Sequence, residues 1–385
     1  MAHPVGKQER GAFFWADSLR FVAATLMVME HSRDLMFKTF GEVTGLSALW
    51  KLFYFATGLG SEAVIVFFVL SGFWITSAVD RRIDNADFWP AYLIDRLSRL
   101  MIVVIPALVL GGLLDMLSIH WLHSAYTDGH SGALTVTQSI GDHLTPGLFL
   151  ANLVFLQKLV FGSFGSNEPL WSLAYEFWYY IWFPSLLLLL TRRRLSFGLL
   201  ALGMGFVSLH FVQGFVVWLM GSSLYYLDRR MAKAGRADWS GPWTVIAVLA
   251  SGLVFVAVLA ASRVNLPVLG TPIALGAAFA QFLWVLLRTN PRPLKIGLPF
   301  ARYGAKASFS LYAMHFPFML AVISAIPPGV RVAPSVTRLL EWIGLCLLTI
   351  AFGWAFARLT EAHTGQLRAR LRARLIAPHT QAEAA

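Results

Sequence analysis

The chain has 385 residues, of which 57% are hydrophobic and only 13% are charged, and this balance excludes an ordinary soluble domain. Its 30 Phe, 14 Trp and 10 Tyr exclude intrinsic disorder as well. The net charge of +11 does not by itself indicate nucleic-acid binding, because basic residues of a membrane protein collect on the cytoplasmic side of the bilayer. The single cysteine, Cys346, excludes an internal disulfide.

Ten runs are long and apolar enough to cross a bilayer, which takes about 20 residues each. They cover residues 13–36, 59–79, 100–120, 169–190, 195–210, 211–227, 243–261, 269–287, 307–325 and 339–359. The fifth and sixth share the segment 195–227, which is short for two crossings, and a weaker apolar segment at 146–162 is interpreted as an outer-face or re-entrant segment. The predicted fold is an all-α integral membrane protein with about ten transmembrane helices.

The basic residues predict the orientation. Arginines flank the segment 195–227 on both sides, so that segment has to cross twice if both clusters are cytoplasmic. With the N-terminus inside, roughly three-quarters of the 31 Lys and Arg residues face the cytoplasm, which predicts that both termini are cytoplasmic. The predicted parts are a cytoplasmic N-terminus (1–12), a transmembrane domain (13–359) with an outer loop (121–168), and a basic cytoplasmic tail (360–385).

Ionisable side chains inside a span are costly and mark candidate functional sites. The first span contains Arg20, Glu30 and His31, and the fourth contains Glu176. Arg20 and His31 share one face of a helix, about 16 Å apart along its axis. His31 and Glu176 are predicted at a similar depth in the outer half of the membrane, so the two side chains are expected to meet. Such a pair fits a general base oriented by a carboxylate, or equally a structural bond between two helices.

Five motifs make the sequence similar to a known family. They are Asp-Ser-Leu-Arg at 17–20 with His31 (Arg-x10-His), Phe-Phe-Val-Leu-Ser-Gly-Phe-Trp-Ile-Thr at 67–76, Tyr-Leu-Ile-Asp-Arg-Leu-Ser-Arg-Leu at 92–100, Trp-Ser-Leu-Ala-Tyr-Glu at 171–176, and Ser-Phe-Ser-Leu-Tyr-Ala-Met-His-Phe-Pro at 308–317. In this order they resemble the acyltransferase 3 family of bacterial integral-membrane acyltransferases, which modify surface and secreted glycans. The resemblance runs from about residue 14 to 359. Two departures are the apolar Ile65, where the family often has an acidic residue, and a sparser arginine cluster at Arg96 and Arg99.

The resemblance implies an acyl-CoA co-substrate, with acetyl-CoA favoured, and His31 as the catalytic residue. Arg20, Arg96 and Arg99 are expected at the cytoplasmic ends of their spans, where guanidinium groups hold the CoA phosphates. His31 is expected to act as general base with Glu176 orienting it. A covalent acyl-histidine intermediate stays open.

The acceptor is expected to be a hydroxyl of a glycan or lipid-linked saccharide at the outer face of the bacterial inner membrane. Candidate substrate contacts are His315, Trp171 and Tyr312, although His315 is equally compatible with helix packing. Membrane lipids are the other expected partners, nucleic acid is not expected, and the oligomeric state is open. No metal is expected, because the His-x-x-His spacing of His120 and His123 lacks the accompanying carboxylate–histidine pattern of a zinc site.

A secondary transporter or flippase for a glycan-related substrate is the alternative function, since many spans with buried Arg, Glu and His also suit a translocation path. The sequence contains no inverted repeat and no paired Gly/Pro-broken helices in corresponding halves, which favours the enzyme.

Overall fold

The computed structural model describes residues 11–192, 195–236, 238–293, 298–326 and 331–376. Within these ranges the chain is α-helical, and its only β-structure is two isolated bridges. The helices are α1 (Gly11–Met36), α2 (Ala48–Ala56), α3 (Gly60–Asp80), α4 (Phe88–His120), α5 (Pro146–Leu153), α6 (Trp171–Arg192), α7 (Gly198–Met204), α8 (Leu209–Lys233), α9 (Trp243–Arg263), α10 (Pro272–Thr289), α11 (Leu298–Ser324), α12 (Val336–Leu359) and α13 (Thr364–Leu375).

Eight segments of the described chain are long and apolar enough to cross a membrane. They are α1, α2 together with α3, α4, α6, α9, α10, α11, and α12 together with α13. They correspond to the predicted spans one to four and seven to ten. The segment 146–162 contains only the eight-residue α5, which is too short to span.

The described chain has fewer candidate spans than the roughly ten predicted, and the difference lies in the segment 195–227, for which two crossings were predicted. Helix α7 has seven residues, about 10 Å of helix against a hydrocarbon core of about 30 Å. Helices α7 and α8 bend by 110° at the break between them and together make at most one span, giving eight or nine in the described chain. The Trp182 indole donates to the Ala201 carbonyl at 2.9 Å and the Tyr179 hydroxyl to the Phe211 carbonyl at 2.7 Å, which holds this bent segment against α6.

The surface of α9 shows why these helices belong in a bilayer. Its exposed row consists of large aliphatic side chains, each more than half exposed: Val245, Ile246, Leu249, Leu253 and Val256. Water would penalise such a contiguous apolar face, whereas lipid matches it. The protein is therefore an all-α integral membrane protein.

The chain forms two compact units. The first comprises Met1–Ala23, Glu62–Ser77 and Gln213–Ala305. In it, α3 and α8 approach through glycines: a Cβ at Gly72 would clash with the Trp218 carbonyl, and a Cβ at Gly221 with the Val69 carbonyl. Small residues permit such close backbone contact between membrane helices. The Trp218 indole also donates to the Ser71 hydroxyl at 3.2 Å.

The second unit comprises Ala24–Ser61, Ala78–Val212 and Lys306–Ala385. Its longest helix, α4, has 33 residues and is about 50 Å long, so it starts well before the predicted span at residue 100 and extends beyond the hydrocarbon core. Helices α11 and α12 touch closely, since a Cβ at Gly353 would clash with Leu311. All the predicted site residues except Arg20 lie in this unit.

Candidate active site

His31 lies near the end of α1, partly exposed, against α11. Its ring centroid is 5.2 Å from that of His315 and 5.5 Å from that of Phe316, which meets it edge-on. Two motif residues that are far apart in the sequence, His31 and His315, are therefore neighbours in the second unit.

The polar partner of His31 comes from the loop between α4 and α5, part of the predicted outer loop. Its Nδ1 atom lies 3.4 Å from the Thr135 hydroxyl oxygen. Asp34, one turn after His31 on α1, accepts hydrogen bonds from the Thr135 hydroxyl at 2.7 Å and the Thr135 amide at 2.9 Å. The other oxygen of Asp34 accepts from the Leu134 amide at 3.0 Å.

His315 is 1% exposed and has one hydrogen-bonded nitrogen. Its Nδ1 donates to the Tyr312 carbonyl at 2.7 Å, since a carbonyl can only accept. Within the described residues Nε2 has no hydrogen-bond partner, so it is a buried, bare acceptor. A buried polar atom of this kind is available to a donor on a substrate.

Tyr312 connects α11 to α6. Its ring stacks on His315 at 5.9 Å between centroids. Its hydroxyl donates to the Pro169 carbonyl, so the Ser172 hydroxyl, 2.8 Å away, donates to Tyr312. The neighbouring Trp171 opens α6, with its ring edge-on to Tyr175 at 5.2 Å. The Trp-Ser-Leu and Ser-x-Ser-Leu-Tyr motifs therefore meet through Tyr312 and Ser172.

Glu176 lies one turn further along α6, where it accepts a hydrogen bond from the Tyr180 hydroxyl. Its charge also acts on the Tyr312 hydroxyl. Between Glu176 and His31 themselves, the described residues show no hydrogen bond or ion pair. The predicted role of Glu176 in orienting His31 stays a prediction. In this structure the polar side chain next to the His31 ring is that of Thr135.

The predicted donor-binding arginines divide between the two units. Arg96 and Arg99 of α4 lie near enough to the Tyr180 hydroxyl for their charges to act on it. The Arg96 guanidinium lies 5.7 Å from the centre of the Tyr92 ring, and the Tyr92 hydroxyl donates to the Tyr180 carbonyl at 3.0 Å. Arg20 belongs to the first unit, where its guanidinium is 3.7 Å from Asp17.

The acyltransferase 3 family model, described as an acyltransferase domain, matches residues 13–358. The chain belongs to the acyltransferase 3 family. No curated protein and no solved structure matches it. As an acyltransferase 3 protein with many membrane-spanning helices, it is a membrane acyltransferase.

Sequence reasoning did not single out Asp34 and Thr135 of this acyltransferase. Asp34 was detectable, because a carboxylate three residues after a candidate base lies on the same helix face. Thr135 was not, because it lies in a loop, separated from His31 by 104 residues. Among the described residues no group of three or more His, Cys, Asp or Glu side chains is arranged to hold a metal ion.

Two further carboxylates of the acyltransferase stabilise its framework. Glu30 accepts from the Gly60 amide and so caps the start of α3. Asp115, only 1% exposed on α4, accepts from the Ser166 amide at 2.8 Å. Gly165, at φ +57°, permits this approach, because a Cβ there would clash with the Asp115 carboxylate. Glu30 thus fixes the start of α3 to α1, and Asp115 fixes the loop before α6 to α4.

Proposed function

We propose that this membrane acyltransferase transfers an acyl group, acetyl in the first instance, from cytoplasmic acyl-CoA to a hydroxyl of a glycan or lipid-linked saccharide at the outer face. The bacterial inner membrane is the proposed location. The supporting observation is the convergence of three motif blocks: His31 contacts His315, and Tyr312, one turn before His315, binds Ser172.

In the proposed reaction His31 is the general base. It takes the proton of the acceptor hydroxyl while the hydroxyl oxygen attacks the thioester carbonyl carbon. The carbon–sulfur bond then breaks, and the departing CoA thiolate takes the proton from His31. The products are an ester and free CoA thiol, and the enzyme returns to its initial state.

The other predicted residues bind the two substrates in this proposal. Arg96 and Arg99 of the second unit bind the CoA phosphates through charge-assisted hydrogen bonds. The bare Nε2 of His315 accepts a hydrogen bond from the saccharide, and Tyr312 and Trp171 supply ring surface, on which sugars pack. Glu176 accepts a hydrogen bond from Tyr180, near the donor arginines. Its charge also acts on Tyr312, a proposed acceptor contact, so Glu176 lies between the residues proposed for the two substrates.

Mass spectrometry of surface glycans tests this proposal in cells that lack the gene and are complemented with variants. Wild type and His130→Ala, a control at an exposed loop histidine, are expected to restore acylation, whereas His31→Ala is expected to abolish it at equal membrane abundance. Normal acylation by His31→Ala contradicts the proposal.

Purified protein in nanodiscs distinguishes the enzyme from a transporter. With acetyl-CoA and the glycan identified in cells, we expect thiol release that requires both substrates. In proteoliposomes, movement of the saccharide across the bilayer without thiol release supports a transporter instead.

A further inference from the structure

We infer that Asp34 and Thr135 form a relay that orients His31 and stabilises its protonated form. The outer loop thereby supplies a positioning residue, Thr135, to a base on α1. This inference rests on the proposed function, because it concerns the same histidine, and it assigns a role to a part of the outer loop.

Asp34 determines how the protons are arranged. Its carboxylate accepts three hydrogen bonds from two consecutive loop residues: the Leu134 amide, the Thr135 amide and the Thr135 hydroxyl, at 3.0, 2.9 and 2.7 Å. An ionised carboxylate only accepts, so the single hydroxyl proton of Thr135 points to Asp34.

The tautomer of His31 follows from this arrangement. The hydroxyl proton of Thr135 is used in the hydrogen bond to Asp34. The Thr135 oxygen can therefore only accept a hydrogen bond at its contact with His31 Nδ1. Nδ1 therefore carries the ring proton, and Nε2 has the free lone pair that a base requires. The contact of 3.4 Å is long, as such bonds often are before substrate binds.

The relay also matters during the reaction. When Nε2 takes the acceptor proton, the ring becomes positively charged beside an oxygen that Asp34 polarises. A carboxylate plays this part directly in Ser-His-Asp enzymes, where it holds the imidazole tautomer and stabilises the imidazolium. Here one hydroxyl group lies between the carboxylate and the ring.

Other contacts hold the loop independently of Thr135. The Tyr126 hydroxyl donates to the Leu35 carbonyl at 2.6 Å, and burial raises the pKa of Tyr126 to about 12, so this donor stays protonated. The Arg331 guanidinium donates to the Gly132 carbonyl. Removing the Thr135 hydroxyl alone therefore leaves the loop attached to the end of α1.

The test compares Thr135→Val, Thr135→Ser, Asp34→Asn and the Asp34→Asn/Thr135→Val double variant in nanodiscs. Thr135→Val keeps the shape but loses the hydroxyl, and we expect kcat to fall about 10- to 100-fold with an unchanged KM for acyl-CoA. Thr135→Ser keeps the hydroxyl and should retain kcat within about threefold of wild type. Thr137→Val, at an exposed threonine of the same loop, is the matched control and should be unaffected.

The double variant separates a relay from two independent structural effects. In a relay its loss of kcat is no larger than that of the more severe single variant, because both substitutions break one chain. Additive losses, a wild-type kcat for Thr135→Val, or a Ser variant as slow as the Val variant would each overturn the relay. If Thr135→Val does not reach the membrane, the same comparison is made between Thr135→Ala and Thr135→Ser.

The two proposals fail differently. An active His31→Ala variant contradicts the proposed function itself. An inactive His31→Ala variant together with a fully active Thr135→Val variant leaves His31 as the base and contradicts the relay alone.

Discussion

Tyr180 donates a hydrogen bond to Glu176 one turn earlier on α6, and the charges of Arg96 and Arg99 reach the same hydroxyl. A carboxylate and two arginines of two different motifs thus act on one phenol. The carboxylate expected beside His31 is therefore positioned by a tyrosine near the predicted donor arginines.

The first prediction concerns this pair. Glu176→Gln and Tyr180→Phe should both raise the KM for acyl-CoA, by about 5- to 20-fold, because each disturbs the groups around Arg96 and Arg99. Steady-state kinetics with varied donor concentration provides the measurement. A fall in kcat with unchanged donor KM in Glu176→Gln would instead support a direct role of Glu176 at His31.

The second prediction concerns the tail helix α13. Arg372 lies 2.7 Å from Asp95, which is buried at the start of α4 and also pairs with Arg82 at 2.7 Å. Removing this buried charge with Asp95→Asn should release α13, because Arg372 loses its partner. Limited trypsin digestion should then cut the arginine-rich tail at least about fivefold faster than in wild type.

The matched control for the tail is Asp87→Asn, which alters an exposed carboxylate just before α4. Its tail should be cut at the wild-type rate. Equal cutting of wild type and Asp95→Asn would show that the ion pair does not hold α13.

The third prediction concerns packing between α3 and α8. Gly72→Ala places a methyl group against the Trp218 backbone carbonyl and should destabilise the protein by about 1–3 kcal/mol. Gly344→Ala is the control, because its methyl group meets nothing within 4 Å and replaces a helical glycine. Thermal denaturation of detergent-purified protein should show a lower midpoint for Gly72→Ala alone. Equal midpoints for the two variants would contradict the close contact.

The fourth prediction concerns the effect of acid on Glu42, which lies in the connection between α1 and α2. Hydrogen bonds from the Thr39 hydroxyl and amide, with a smaller effect of Arg331, lower the pKa of the Glu42 carboxyl below its ordinary value of 4.5. A carboxyl whose folded pKa is lowered stabilises the fold above its unfolded pKa, and this contribution disappears as pH falls through the folded value.

Glu42→Gln should therefore lower the thermal midpoint slightly at pH 7, where wild-type Glu42 is ionised, and the difference should shrink below about pH 4.5. Thermal scans of both proteins across this range provide the measurement. A difference that is the same at pH 4 and pH 7 would show that the charge of Glu42 is not responsible.

The fold was predictable where the chain consists of long apolar runs, because about 20 such residues in a row have few alternatives to a spanning helix. The difference from the predicted spans lies at 195–227. Hydropathy cannot distinguish two short crossings from a bent pair, and the contacts of Trp182 with Ala201 that hold this segment depend on tertiary structure.

The site was predictable as far as motifs extend. The sequence pointed to His31 and His315 separately, but motifs do not reveal that α1 and α11 are in contact in the folded protein. Glu176 was placed beside His31 by depth alone. Depth does not determine which way a side chain faces around its helix. In the structure Glu176 accepts a hydrogen bond from Tyr180, and its role in orienting His31 stays a prediction.

The single thiol of the chain, Cys346, is buried in α12 and hydrogen-bonded to Ser32 at 3.2 Å. A membrane-impermeant maleimide should therefore leave the native protein unlabelled. Cysteines introduced one at a time into loops can then be read out without first removing any native residue. Reporters placed before α7 and after α8 would count the crossings of that bent segment directly, by whether both react from the same side of the bilayer.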